Sequence, residues 1–352
     1  MGRNLHHANV ALAIRLRWRA EALALRGLLL LLEGRSHRTM QRGIRVGVGL
    51  ARPLLSKRLT TASSNLERVY GQQLSQGQRQ RLAELSLGNF LLACLESIIQ
   101  PVPEARITVE GEGLADLLVH QRSGRGLIVA SLHLGCWDIG LRWLSQHIDN
   151  LAVVYRPAKN PLTDPMLNRA RSANSHCGWI PSSDRWAMAR HLRRGGGLVL
   201  MSDLRSGTSN LIADFLGLET RFSRGPMVLS QLASVPVFPV AHVREDDGRF
   251  RLVCGSPLLP QSPATAGEGG QTPGGVEAGR NAQAQRQVEA LARWQEPWIQ
   301  AYAEQYYWIN RRWRRDEGKQ WRRLPPPAAR VLQKLTVSRG APNPPNPDQP
   351  TP

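Results

Sequence analysis

The segment Ser131-Leu132-His133-Leu134-Gly135-Cys136-Trp137-Asp138 sets a histidine five residues before an aspartate, directly after the apolar run Gly126-Leu127-Ile128-Val129-Ala130. An imidazole held by a carboxylate is a ready general base. The carboxylate takes the N–H of one ring nitrogen, fixes the tautomer and leaves the other nitrogen free to accept a proton. On a regular helix five residues turn through about 500°, which leaves the two side chains about 140° apart. His133 must therefore lie on the loop before a helix, with Asp138 in that helix's first turns, if the two are to meet. There the positive end of the helix dipole disfavours imidazolium and keeps the ring neutral. A histidine packed at a strand end without any chemical role would have the same local sequence. A second pair at the same spacing, His242 and Asp247, runs instead into the charged turn Arg244-Glu245-Asp246-Asp247-Gly248.

The chain downstream of His133 extends the pattern. Val153-Val154-Tyr155-Arg156-Pro157 reads as a strand ending in an arginine, Leu198-Val199-Leu200-Met201-Ser202-Asp203 as a strand ending in an acid, and Val235-Pro236-Val237-Phe238-Pro239 as another strand. Open α/β sheets place their sites at such C-terminal strand ends. A base, a guanidinium and an acid converging on one sheet edge make an acid/base site for an anionic ligand. The alternatives are an Arg156 that bridges structural carboxylates and an Asp203 that caps a turn. Cys136 stands beside the His–Asp pair with no obvious second base, and no GxSxG elbow is present, so no activated nucleophile is indicated.

These residues need a sheet to carry them. Candidate strands are Gly126–Ser131, Leu151–Tyr155, Gly197–Ser202, Ile212–Phe215, Val235–Val240 and Phe250–Val253, and candidate helices cover 137–147, 163–176, 184–194 and 224–234. Alternation of this kind predicts an α/β fold, a mixed and mostly parallel sheet flanked by helices. Residues 61–100 read as a helical layer ending before Pro101-Val102-Pro103. Residues 260–281, rich in Gly, Pro, Ser and Gln, read as a surface loop insertion, and a helix is expected over 282–303. The Pro-rich stretch 324–352 reads as a disordered tail. The predicted organisation is thus a basic N-terminal helical segment over 1–60, a domain over 61–315, and the tail.

Charge sharpens that division. The 352-residue chain has 46 Lys+Arg against 27 Asp+Glu, a formal net charge of +19. Residues 1–60 carry 12 basic and 2 acidic side chains and residues 301–352 carry 10 and 4, so the 240 residues between them hold only +3. A nearly neutral body with basic ends predicts docking on an anionic surface, membrane lipid or nucleic acid. A helix over 8–32 would align Arg15, Arg19 and Arg26 beside Leu12, Leu16, Leu23 and Leu30. Such a helix lies in a membrane interface or packs on the body with an Arg-rich outer face. The longest apolar run, Leu28 to Leu32, is far short of the ~20 residues that span a bilayer. Four scattered cysteines form neither a CxxC pair nor a zinc pattern, and no metal or cofactor is called for.

The His133-x4-Asp138 pair, Tyr155-Arg156-Pro157-x-x-Asn160-Pro161, the strand ending in Asp203, Phe215-Leu216-Gly217 with Thr220 and Gly225, Val235-Pro236-x-x-Pro239 and Tyr306-Tyr307-Trp308-Ile309-Asn310-Arg311-Arg312-Trp313 follow one another in a familiar order. In this the chain resembles, over roughly residues 60–315, the bacterial late acyltransferases of lipid A biosynthesis within the lysophospholipid acyltransferase superfamily. The resemblance implies acyl transfer from a thioester, on acyl carrier protein or CoA, to a hydroxyl of an anionic glycolipid at the cytoplasmic face of the inner membrane, with peripheral or monotopic attachment. By the same resemblance His133 is the general base oriented by Asp138, Arg156 binds a phosphate or the developing oxyanion, and Asp203, Arg205 and Gly225 line the acceptor pocket. Two features depart from it: family members usually begin with a clean hydrophobic anchor helix, where this chain carries arginines, and the 260–281 loop and the tail exceed the pattern.

Other readings remain open on sequence alone. The acceptor could equally be a phosphatidylinositol mannoside or a lysophospholipid, or the protein a catalytically dead scaffold of the same fold. From a different class, the sequence pI near 11.2 and the aromatic-basic stretch 306–315 suit a nucleic-acid binder. Against this stands the lack of any P-loop, RRM, KH or zinc pattern, and no nucleic-acid partner is expected.

Overall fold

The computed structural model describes residues 12–32, 37–50, 53–96, 103–172, 175–205, 211–259, 273–313, 320 and 322–336. The expectations for 1–11, the end of the 61–100 helical layer, 260–272, 314–315 and 337–352 lie outside the described residues.

The chain folds around a seven-stranded sheet built from β1 (Ile107–Glu110), β2 (Leu127–Ser131), β3 (Leu151–Tyr155), β4 (Gly178–Pro181), β5 (Gly197–Met201), β8 (Val237–Arg244) and β9 (Phe250–Cys254), in the order β1-β9-β8-β2-β5-β3-β4. Every neighbouring pair is parallel except β8 with β9. The fold is therefore α/β, as expected. A separate hairpin pairs β6 (Ile212–Phe215) with β7 (Leu218–Arg221) through Leu216 and Gly217, both at positive φ, +55° and +75°. The second of these positions has to be glycine, because a Cβ there would come within 2.5 Å of the Arg322 carbonyl oxygen.

The central strands are apolar throughout because both faces are covered. On β2, Leu127 and Val129 face one core with Leu141, Leu144 and Leu117 from α6 (Trp137–His147) and α5 (Leu114–Arg122). Ile128 and Ala130 face the other, which is completed by α3 (Ser56–Tyr70), α4 (Gln76–Glu96), α8 (Arg185–Arg193), α9 (Gly225–Ala233) and α10 (Pro273–Ala301). The remaining helices are α1 (Leu12–Leu32), α2 (His37–Leu50), α7 (Thr163–Ser172) and α11 (Ala329–Thr336).

Three segments differ from expectation. The helix predicted from 282 begins at Pro273, nine residues inside the expected loop. Residues 329–336 of the expected disordered tail form α11, which buries Val331 and Leu335 and pairs Arg330 and Lys334 with Asp246 and Glu304. A short apolar face with two well-placed cations docks where the three prolines before it had suggested no structure. Most of the stretch Tyr306–Trp313 is also not a surface: Tyr306, Trp308, Ile309, Arg312 and Trp313 are buried, so these rings offer no stacking platform to a nucleic acid.

α1 meets the body along one stripe only. Trp18, Glu21, Ala22, Leu25 and Leu29 are half-buried, whereas Leu12, Leu16, Leu23 and Leu30 on the opposite side are exposed. No helix among the described residues is long and apolar enough to cross a membrane.

Candidate active site

Two adjacent parallel strands build the centre of the site. β2 pairs with β5 in a register that sets Ser131 against Met201. The chains stay together beyond the ladder, with Ser202 N donating to the Ser131 carbonyl at 2.8 Å and Ser202 Oγ to the same oxygen at 2.9 Å. Two residues past the matched pair stand His133 and Asp203, and they touch: His133 Nδ1 lies 2.8 Å from Asp203 Oδ1. Asp203 has no exposed surface, and the His133 side chain is 18% exposed. Burial alone would raise the Asp203 carboxyl, but the imidazole and the buried Arg312 guanidinium outweigh it and hold the group below its ordinary value. Asp203 is thus an anion able to accept the Nδ1–H hydrogen bond, a tautomer that leaves Nε2 as the ring's proton acceptor.

The expected contact was with Asp138. The partner of Nδ1 is instead Asp203, because strand register brings together residues 70 apart, whereas the helix starting at Trp137 points Asp138 elsewhere. Asp138 Oδ2 lies 3.8 Å from Arg171 Nε on α7, and the Arg171 guanidinium sits 5.7 Å from the centre of the Trp179 ring. Asp203, expected at the acceptor pocket, is fully buried, and its Oδ1 lies against His133. Arg156 follows β3 directly and is exposed. Arg205 forms a bridge to Phe222, and Gly225 opens α9. The second sequence pair dissolves altogether. His242 is buried beneath Gly140, burial pulls its imidazole down to about 3, and Asp247 pairs with Arg249 on an exposed turn.

The loop carrying His133 is held by a segment far along the chain. Tyr307 N donates to the His133 carbonyl at 3.1 Å and Gly135 N to that of Gln305 at 3.2 Å. Gly135 takes φ +59°, and a Cβ there would stand 2.2 Å from the His242 carbonyl oxygen, so glycine is required for this close turn. The helical layer places residues 304–310 through side chains that bind their carbonyls: Asn65 to Trp308 and Asn310, Ser86 to Tyr306 and Asn89 to Glu304. Tyr307 then stacks on the imidazole with ring centres 5.4 Å apart, Trp137 meets it edge-on at 5.6 Å, and Phe90 stacks on Tyr307 at 4.5 Å. This aromatic wall was invisible as such in the sequence. Its only signal was the density of aromatic residues at 306–308.

Arg312 completes the buried tier. Its guanidinium lies 4.6 Å and 5.1 Å from the Phe222 and Phe215 ring centres, and Nη1 donates to the Arg221 carbonyl at 3.2 Å. Burial brings its pKa down to about 10, which still leaves it a cation at neutral pH. Burial pushes the Cys136 thiol well up, so it is no nucleophile. Among the described residues no group of three or more His, Cys, Asp or Glu could hold a metal ion.

The sequence model of the bacterial lipid A biosynthesis acyltransferase family matches residues 24–315. The chain belongs to that family. It is an acyltransferase of lipid A biosynthesis, and that class of reaction implies an acyl donor and a glycolipid acceptor. Among relatives, the lipid A biosynthesis palmitoleoyltransferase of Escherichia coli (strain K12) is 28% identical over 211 residues, covering 58% of this chain and 67% of that protein. The lipid A biosynthesis acyltransferase of Shigella flexneri matches with the same identity and coverage. Within this lipid A acyltransferase, the partly exposed His133 on the fully buried Asp203 is the pair whose geometry suits proton transfer.

Proposed function

We propose that the enzyme moves a fatty acyl chain from a thioester, on acyl carrier protein or CoA, to a hydroxyl of a lipid A precursor, with His133 as general base. Nε2 takes the hydroxyl proton as the oxygen attacks the thioester carbonyl carbon. The new C–O bond forms, the C–S bond breaks, and the imidazolium returns its proton to the departing thiolate. Asp203 orients the ring and stabilises the imidazolium, the role a buried carboxylate performs in hydrolase triads. The stacked ring of Tyr307 and the edge-on ring of Trp137 fix the imidazole plane and restrict water around it. Asp138 acts one step away, by holding Arg171 beside the cleft. Arg171 and the exposed Arg156 are the cations that would meet the acceptor's phosphates or the oxyanion, and Arg205 and Gly225 complete the acceptor pocket.

The single observation that carries this reading is the 2.8 Å contact between a partly exposed imidazole and a fully buried carboxylate. We further propose that residues 61–315 form the catalytic domain and that α1 attaches it to the inner membrane's cytoplasmic face. The outward leucines enter the lipid, and Arg15, Arg19 and Arg26 reach its phosphates. The test is acyl transfer by purified protein to a lipid A precursor in vesicles, followed by mass spectrometry. Transfer that vanishes in His133→Ala supports the assignment. Transfer that survives it unchanged refutes the base, and transfer to a lysophospholipid or mannosylated acceptor alone refutes the acceptor.

A further inference from the structure

Asn160 joins two parts of the protein that look unrelated in the sequence. It follows Arg156 by four residues and is buried. Its Oδ1 accepts from Leu162 N at 2.9 Å and its carbonyl from the amides of Thr163 and Asp164 at 3.2 Å each, so it starts α7. Its amide nitrogen turns the other way. It donates to the Trp18 carbonyl at 3.0 Å and to Glu21 Oε2 at 2.9 Å, both on α1. Glu21 is the only acid of α1 and also receives Arg17 Nε at 2.8 Å.

α7 itself has no buried residue. It is placed by polar ties at its two ends, Asn160 to α1 at the start and Arg171 to Asp138 of α6 near the finish. A line of contacts therefore runs from α1 through α7 to the residue after Trp137, whose ring edges His133. On α1, the face that meets Asn160 recurs at helical period through Trp18, Glu21, Ala22, Leu25 and Leu29. Leu12, Leu16, Leu23 and Leu30 fall opposite it, within about 40° of one another at 100° per residue.

We infer that Asn160 is a positioning residue that ties the membrane-facing helix to α7 and the Arg156 loop, and so fixes the depth of the catalytic cleft over the bilayer that holds the acceptor. This rests on the reading of α1 as a membrane-lying helix. The physical need is clear: the reacting hydroxyl sits at a set depth in the leaflet, and misplacing reactants by about 1 Å costs on the order of a hundredfold in rate. A helix riding in the interface secures that depth only if it is tied to the cleft.

Asn160→Asp separates the two jobs of the residue. It keeps an oxygen for Leu162 N but sets a second carboxylate against Glu21. The experiment measures transfer to acceptor in phosphatidylglycerol-containing vesicles and, separately, to acceptor dispersed in detergent micelles, with vesicle flotation alongside. Asn160→Asp is expected to raise KM for the vesicle-borne acceptor about tenfold, to leave micelle kinetics within about twofold, and to float like the unmodified protein. Adding Glu21→Gln, whose amide donates to the new carboxylate, is expected to bring the vesicle KM back to within about threefold. Glu21→Ala, which removes one acceptor on α1 and leaves the bonds of Asn160 to α7 in place, is expected to raise the vesicle KM alone by about threefold.

Equal losses in vesicles and micelles, no loss in either, or failure of Glu21→Gln to rescue would each overturn the tie. An unmodified protein that transfers acyl chains in micelles but neither floats nor acts on vesicles would refute the membrane reading beneath it. An unmodified protein inactive in both media would refute the assigned reaction instead.

Discussion

Replacing Asp203 by Asn separates the two carboxylates near His133 by their measured distances. In the transition state the imidazole becomes a cation, and the charge centres of a pair with Nδ1 and Oδ1 2.8 Å apart stand about 4 Å from one another. At an effective dielectric of about 20 their attraction is roughly 4 kcal/mol, which corresponds to about a thousandfold in kcat. Asn also offers an N–H where a proton acceptor is needed, and so favours the wrong tautomer, a change that costs about ten thousandfold in a serine protease. Asp203→Asn should therefore lower kcat by a factor of a thousand or more with little change in KM for either substrate. Asp138→Asn should lower activity by about tenfold and through KM, since its partner is Arg171 at 3.8 Å and not the imidazole. The assay is steady-state transfer from an acyl thioester at fixed pH, with thermal unfolding as control. Removing this anion leaves the buried Arg312 cation without its counter-charge and is expected to lower Tm as well, so kcat is compared at a temperature where both proteins are folded. A larger kcat loss in Asp138→Asn than in Asp203→Asn would refute the assignment.

Two further expectations concern stability. His242 has a folded-state pKa of about 3 against an ordinary 6.5, so below pH 6.5 the unfolded chain binds a proton that the native protein does not. Stability is lost as pH falls from about 6.5 toward 3, at ~1.4 kcal/mol per pH unit. Urea unfolding of His242→Leu at pH 5 and 7 should show a pH dependence weaker by one proton, and parallel curves for the two proteins would refute this. Arg244 is buried with Glu96, and its Nη1 donates to Asn89 at 3.0 Å. Arg244→Met strands the Glu96 carboxylate in the core and should cost about 3–5 kcal/mol by urea denaturation. A loss below about 1 kcal/mol would show that water reaches the pair.

Much of the sheet was legible because its central strands are short apolar runs bounded by glycine, proline or charge. Leu151–Tyr155 and Ile212–Phe215 fall where expected, and β2, β5 and β9 differ by a single residue. The strands not foreseen, β1, β4 and β7, lie at the sheet edges or in the hairpin. Each has only four residues and is partly exposed, too little to register as a pattern. α11 left a faint trace, Val331 and Leu335 at helical spacing, obscured by the prolines before it. His133 was legible from the strand, turn and helix around it. Its partner was not, because proximity in sequence favoured Asp138 whereas the register of β2 on β5 selects Asp203. Arg171 and Tyr307 were hidden for the same reason: what brings them to the site is packing between distant segments.

The stitching of the His133 loop to residues 305–307 bears on how the enzyme comes into being. α1 lies near the start of the chain and the stitch lies some 170 residues beyond the base it supports. A chain emerging from the ribosome offers its leucine- and arginine-bearing helix long before Tyr307 exists to close over the imidazole. If α1 attaches as proposed, attachment can precede competence in time. Synthesis itself delays the closing of the His133 loop until α1 has already been exposed.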